Sequence, residues 1–307
     1  MRGIPRRFTA RHRVVTYLTP PRLSSLPQER GQLEYSSRSM VFQDDGRSIR
    51  RVWGAPDDPW AVGVEAAGDR WRVTAWGRDP PDARAAVRAM FALDDPLEEF
   101  YRLVRVEPVL RGTERRFRGL RLPRDPSLFE ALLHAILGQQ LSVAAARTLQ
   151  RRLIERTRAN VEVEGIELPR VPAPSELTAL GFDGLRSVGA SGAKARSLLA
   201  LAERWASGAL SADGLSGGGP EAAIERLDRE PGVGRWTAEN ALLRGVGRRD
   251  LFVAGDLGLR VALARYGGVS RDASEEEARA WGEKWYPGWG SYATLYLWRR
   301  LVSDRTA

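Results

Sequence analysis

Between Leu227 and Leu263 the chain reads LDREPGVGRWTAENALLRGVGRRDLFVAGDLGLRVAL, and this run limits the possible folds more than any other. Residues 224–229 have the composition of a helix. Pro231-Gly232 then stops it, because proline cannot continue the hydrogen-bond ladder and glycine takes left-handed angles cheaply. Gly232 and Gly234 flank Val233, so backbone N–H groups there can approach a ligand with no Cβ in the way. A second helix is expected over 235–244 and a third over 257–266, the latter opening at Asp256. The unpaired amides and positive dipole end of the second helix face the same side as the glycines, which suits a phosphate.

The chain around this run reads as α+β. From Arg13 to Trp76 the pattern is strand-like, with expected strands at 12–18, 33–42, 49–53, 60–64 and 70–76. Asp44-Asp45-Gly46 and Ala67-Gly68-Asp69 look like hairpin turns. Helical spacing follows at 85–91 and 97–104, which completes an N-terminal α+β unit, an antiparallel sheet with helices, over residues 1–111. Residues 112–307 are expected to be all-α. Asp125-Pro126 opens a helix through Leu128, Phe129, Leu132, Leu133, Ile136 and Leu137. It ends at Gly138-Gln139-Gln140-Leu141-Ser142, where Ser142 can cap a helix over 143–158. Residues 160–174 read as a loop, 193–207 and 291–300 as helices, and Gly217-Gly218-Gly219-Pro220 as a connector.

Composition removes several chemistries. The 307 residues contain no cysteine, so disulfides, thiolate catalysis and cysteine metal sites are excluded. His12 and His134 match no metal-ligand spacing. Lys194 and Lys284 are the only lysines, and arginine supplies the rest of the 48 basic residues. A genome rich in G and C would produce that bias. The net charge of +9 suits a polyanionic partner, as it also suits simple solubility. No apolar run approaches the ~20 residues that span a bilayer. No membrane association is expected, and the reading is a cytoplasmic monomer.

Pro231-Gly232-Val233-Gly234 followed by Trp236-Thr237-Ala238 resembles the hairpin of the helix-hairpin-helix DNA glycosylases. Ala254-Gly255-Asp256-Leu257-Gly258-Leu259 resembles the segment that carries their essential aspartate, and the spacing from Trp236 to Asp256 is similar to that of the 3-methyladenine DNA glycosylase II branch. The resemblance covers about 119–300, and the N-terminal unit only by architecture. It implies a helical glycosylase domain, with double-stranded DNA containing damaged bases as the partner. It makes Asp256 catalytic, where local pattern alone reads a helix cap, and the two roles are compatible. Trp236 and Trp298 become base-pocket aromatics, where composition alone reads core tryptophans. Asn240 stands where a pocket tyrosine occurs in the family, and Val253 where many members have proline.

Further roles are implied residue by residue. Gly232, Gly234 and Thr237 would bind a DNA phosphate through backbone amides. The backbone carbonyls of Asp228, Glu230 and Val233 would hold a structural Na+ or K+, with no cofactor needed for catalysis. Residues 135–143 resemble the wedge segment that fills the gap left by an extruded nucleotide. The wedge falls on Gln140, with Leu141 beside it, although both also read as ordinary turn residues. The lysine of those members that also cut the backbone is replaced by Trp236, which implies hydrolysis without lyase activity. The function implied is release of alkylated purines, of the 3-methyladenine or 7-methylguanine type, in base excision repair. A glycosylase for deaminated bases and a non-catalytic module that binds damaged DNA are the alternatives.

Overall fold

The computed structural model describes residues 6–8, 13–22, 24, 42–55, 58–77, 80 and 82–306. Strand β1 (Arg6–Phe8) lies outside the main sheet. That sheet is antiparallel, with order β2-β6-β5-β4-β3, and is built from β2 (Arg13–Leu18), β3 (Phe42–Asp44), β4 (Ser48–Ala55), β5 (Asp58–Ala67) and β6 (Arg70–Trp76). Both expected turns close hairpins, with Gly46 and Gly68 at positive φ. In the first, the Asp45 carboxylate accepts the amides of Ser48 (2.7 Å) and Arg47 (2.9 Å), which holds its pKa down to about 2. The strand expected over 33–42 falls outside the described residues except at Phe42.

Period-two alternation gives the sheet two apolar faces. Ile49, Val62, Val64, Trp71 and Val73 pack against Val87 and Met90 of helix α1 (Ala83–Met90). On the opposite face, Val52, Ala61 and Trp76 pack against Val161, Val163 and Leu168. The last three belong to a hairpin, β7 (Asn160–Val163) and β8 (Ile166–Pro169), which corrects the loop expected over 160–174. Each arm has only four residues and carries glutamates, so its alternation is weak in sequence. Its turn is nonetheless well specified, since Glu164 and Gly165 both have positive φ (48° and 85°), as a type I′ turn requires. Strand β1 adds to β7 in parallel and completes a second sheet, β1-β7-β8.

The remaining elements are helices: α2 (Leu97–Val104), α3 (Thr113–Arg116), α4 (Leu128–Gly138), α5 (Val143–Thr157), α6 (Pro174–Ser187), α7 (Gly192–Ala206), α8 (Pro220–Asp228), α9 (Arg235–Ala241), α10 (Leu257–Tyr266), α11 (Glu275–Trp285) and α12 (Gly290–Thr306). Apolar side chains change cluster between Leu93, which packs with the sheet, and Leu97, which packs with the helices. None of the helices described is long and apolar enough to cross a membrane.

Helix α4 is the centre of the helical part, and all eleven of its residues are buried. It opens two residues later than the sequence suggests. Ser127 is the cap, its hydroxyl accepting from the Glu130 amide (3.2 Å), while Asp125 has a different task. Arg51 of β4, 1% exposed, donates to Asp125 Oδ1 (3.1 Å), to Glu130 Oε1 and to the Arg124 carbonyl (3.4 Å). His134 Nδ1 lies 3.5 Å from Asp125 Oδ2. Asp125, Glu130 and His134 therefore converge closely enough to suit a metal, which their sequence spacing does not disclose, but the Arg51 guanidinium is bound to both carboxylates. Burial pushes the Glu130 carboxyl above its usual range. At Asp125 burial acts in the same sense, but His134, Arg51 and Arg244 together hold it below that range. The cluster thus latches the sheet to α4.

Helix α9 was expected to run regularly to Arg244. Instead it passes at Leu242 into a π-helical turn over Leu242–Val246. This turn sits directly on α4, since a Cβ on Gly245 would lie 2.8 Å from both the Ala131 Cβ and the Leu128 Cα. Gly245→Ala should therefore destabilise the protein by about 1–3 kcal/mol through overpacking. Urea unfolding would show this as a lower midpoint at unchanged slope, and an unchanged midpoint would disprove the contact.

Candidate active site

Asp256 caps α10 as its local pattern predicts, with Oδ1 accepting the Leu259 amide (3.0 Å). The carboxylate does more than cap. Oδ1 also accepts the indole N–H of Trp298 (2.9 Å), and Oδ2 accepts that of Trp236 (3.1 Å). Asp256 is 8% exposed, and each tryptophan is half-buried with part of its ring against the helical core. The loop leading into Asp256 hangs from α12: the Leu251 amide donates to Ser291 Oγ and the Val253 amide to Thr294 Oγ1, both at 3.3 Å. The departure at Val253 therefore has a consequence, because a proline there would have no N–H for Thr294.

The hairpin precedes α9. Gly232 has φ +78°, and a Cβ on it would lie 1.9 Å from Ser197 Oγ on α7, so both backbone angle and space demand glycine. At Gly234, the N-cap of α9, the space a Cβ would fill is open. The amides of Arg235, Trp236 and Thr237 precede the first helical bond, from Ala238 N to Gly234 O (2.9 Å). On the carbonyl side, α8 ends at Asp228, whose last-turn oxygen has no partner within the helix, and Glu230 O accepts Val233 N (3.0 Å) with a second lone pair left. Carbonyl oxygens of this kind suit a monovalent cation.

Gln139, which sequence reasoning did not separate from its neighbours, ties this hairpin to the end of α4. Its amide donates to the Gly232 carbonyl and to Thr237 Oγ1, both at 2.9 Å. Lys194 secures the same corner. Its ammonium donates to the Leu137 (2.6 Å) and Gln139 (2.8 Å) carbonyls, closing the C-terminus of α4, and burial lowers its pKa. One of only two lysines in an arginine-rich chain was the available signal. Beyond this corner, residues 140–145 are all exposed. Gln140 has φ +54° and Leu141 is 42% exposed.

Asp256, Trp236 and Trp298 are thus brought together, with the hairpin beside Trp236. Asn240 joins them only through backbone. It is 3% exposed, and its Nδ2 donates to the Trp236 carbonyl (2.9 Å). Its Oδ1 is buried without a partner, and the residue lines a cavity of about 10 Å³ with Asp125, Ala131, His134, Ala135 and Arg244. That is the room of a single water.

Replacing Gln139 by alanine would leave the Gly232 carbonyl and Thr237 hydroxyl without their shared donor. A loss of about 1–2 kcal/mol is expected, with faster hydrogen exchange at the hairpin amides. Unchanged exchange there would show that Gln139 does not hold the turn.

The chain is similar in sequence and fold to known proteins. The DNA-3-methyladenine glycosylase of Bacillus subtilis (strain 168) is 30% identical over 238 residues, 78% of each chain. The solved structure of the 3-methyladenine DNA-glycosylase from Archaeoglobus fulgidus matches with a TM-score of 0.79 at 25% identity, over 93% of this chain and 98% of that one. The Clostridium acetobutylicum 8-oxoguanine glycosylase/lyase matches in fold alone, with 16% identity and a TM-score of 0.76 over 95% and 98% of the two chains. The model of the HhH-GPD superfamily of base excision DNA repair proteins matches residues 133–287, and the chain belongs to that superfamily.

Proposed function

We propose that the protein is a monofunctional DNA glycosylase that releases alkylated purines, of the 3-methyladenine and 7-methylguanine type, from duplex DNA. The observation that carries this reading is the Asp256 carboxylate, fixed by two indole N–H groups beside a glycine hairpin. The B. subtilis and A. fulgidus relatives, both named for 3-methyladenine, support the substrate class.

The glycosidic bond of a stacked base is out of reach, so the nucleotide must leave the duplex. The hairpin amides of Gly232, Gly234 and Thr237 would hold a backbone phosphate without reading sequence. A Na+ or K+ on the carbonyls of Asp228, Glu230 and Val233 would add positive charge at the same phosphate. Gln140 and Leu141, exposed on the segment tethered by Gln139, would occupy the vacated stack. The half-buried indoles of Trp236 and Trp298 keep aromatic surface for an alkylated, positively charged base. As the bond breaks, positive charge develops on the sugar, and a fixed carboxylate stabilises that transition state more than the ground state. Asp256 also orients the attacking water or takes its proton.

Water is the nucleophile in this reading. The hairpin position that a lyase lysine would take is Trp236, and the Lys194 amine is bound to two carbonyls. Lys284 lies over the ring of Trp285 (5.3 Å). Borohydride should therefore trap no protein–DNA adduct, and a trapped adduct would overturn the monofunctional assignment.

The direct test is release of free base from methylated duplex, with Asp256→Asn as comparison. Wild type should release 3-methyladenine and 7-methylguanine, and the variant should lose at least about a hundredfold in rate, comparable to loss of an electrostatic transition-state contact, with DNA affinity retained. Release by both proteins would remove Asp256 from the mechanism. Release only from deaminated lesions would move the substrate class, and binding without any release would leave a damaged-DNA-binding module.

A further inference from the structure

Trp236 and Asp256 approach each other from different segments, so something must set the distance between them. Trp236 rides on α9, and Asp256 ends the loop that follows Asp250. Arg279 of α11 touches both supports. Its Nη1 donates to Glu239 Oε1 on α9 (2.6 Å) and to the Phe252 carbonyl in the aspartate loop (3.2 Å). Its Nη2 donates to Glu275 Oε1 (2.6 Å), and Glu275 Oε2 stands 3.1 Å from where a Cβ on Gly255 would be, next to Asp256.

Glu239 is three residues after Trp236 on the same short helix and is 1% exposed. Arg235 donates to it from the other side (Nε to Oε1, 3.1 Å) and is itself held by Glu221 of α8. A chain of alternating charge therefore runs from α8 through α9 to α11, with Arg279 where it meets the aspartate loop. A buried glutamate surrounded by arginines is costly to misplace, because losing one partner leaves a desolvated charge. Burial pushes the Glu239 carboxyl above its usual range, although Arg279 and Arg235 pull it down. Arg279 meets its three acceptors from two nitrogens of one rigid plane; a lysine ammonium offers its donors from a single nitrogen on a flexible stem and cannot reproduce that fork.

We propose that Arg279 is a positioning residue for base release, locking the helix that carries Trp236 against the loop that carries Asp256. The claim rests on the glycosylase reading for its consequence in rate, but not for its consequence in structure. A misplacement of the reacting groups by about 1 Å costs on the order of a hundredfold in rate, so a partial loosening should cost about tenfold or more.

The test uses the full chain with Arg279→Lys, and two readouts. The first is the indole N–H resonances of Trp236 and Trp298 in ¹⁵N-labelled protein, assigned through Trp236→Phe and Trp298→Phe. In Arg279→Lys the Trp236 signal should move upfield and exchange faster with solvent, while the Trp298 signal stays in place. The second is single-turnover release from a duplex carrying one 7-methylguanine. Its rate should fall about tenfold or more, with affinity for a duplex containing an abasic-site analogue within about twofold of wild type, a difference below 0.5 kcal/mol. An unmoved Trp236 signal, or both indole signals lost together with affinity, would overturn the proposal. Should Arg279→Lys fail to fold, Glu239→Gln keeps the shape of the side chain and should shift the same single resonance; no shift would overturn it. If wild type releases no base, the glycosylase reading fails while the resonance readout still decides the clamp.

Discussion

Three hydrogen-bond donors converge on one carboxylate, and the rest of the molecule serves that meeting. The Leu259 amide comes from the helix that Asp256 caps, the Trp298 indole from the C-terminal helix, and the Trp236 indole from the hairpin helix. All three are neutral. They orient the Asp256 carboxylate and leave it acceptor capacity for a water, which is what stabilisation of a cation-like sugar and attack by water need. The capping role and the catalytic role use the same atoms. The helix that Asp256 caps therefore also sets where its carboxylate points.

The hairpin is held on one side by shape and on the other by hydrogen bonds. Gly232 lies so close to Ser197 that no side chain fits, and Gln139 binds its carbonyl from the end of α4. Lys194 in turn closes that helix. The segment proposed to enter the duplex and the turn proposed to hold a phosphate are therefore one rigid corner. Helix α4 also receives the sheet, through Arg51 bound to Asp125 and Glu130. Sheet, wedge segment and hairpin thus share a single buried helix as their reference.

The parts of this design that were readable in the sequence depend on local chemistry. A proline and two glycines announce the hairpin, an aspartate before an apolar run announces a cap, and helical spacing announces α4. The β7–β8 hairpin was not readable, because four-residue arms gain their stability from Trp76 and Val52 on a distant sheet. Asp125 looked like the opening of a helix because its partner, Arg51, is 74 residues away. The contacts from both tryptophans to Asp256 were equally invisible. Position in a motif marks a tryptophan as an aromatic surface, and only the folded chain shows where its N–H points. Gln139 and Arg279 carry no motif, and their roles exist only through elements that meet in space.

The account turns on those indole N–H groups, and Trp236→Phe and Trp298→Phe test them most directly, since phenylalanine keeps an aromatic face and deletes the donor. Each lost bond to a charged acceptor should cost about 1.5–3 kcal/mol, hence roughly 10- to 100-fold in the single-turnover rate of 7-methylguanine release, with affinity for abasic duplex little changed. Wild-type rates in both variants would contradict the account, because Asp256 would then need neither tryptophan to hold it in place.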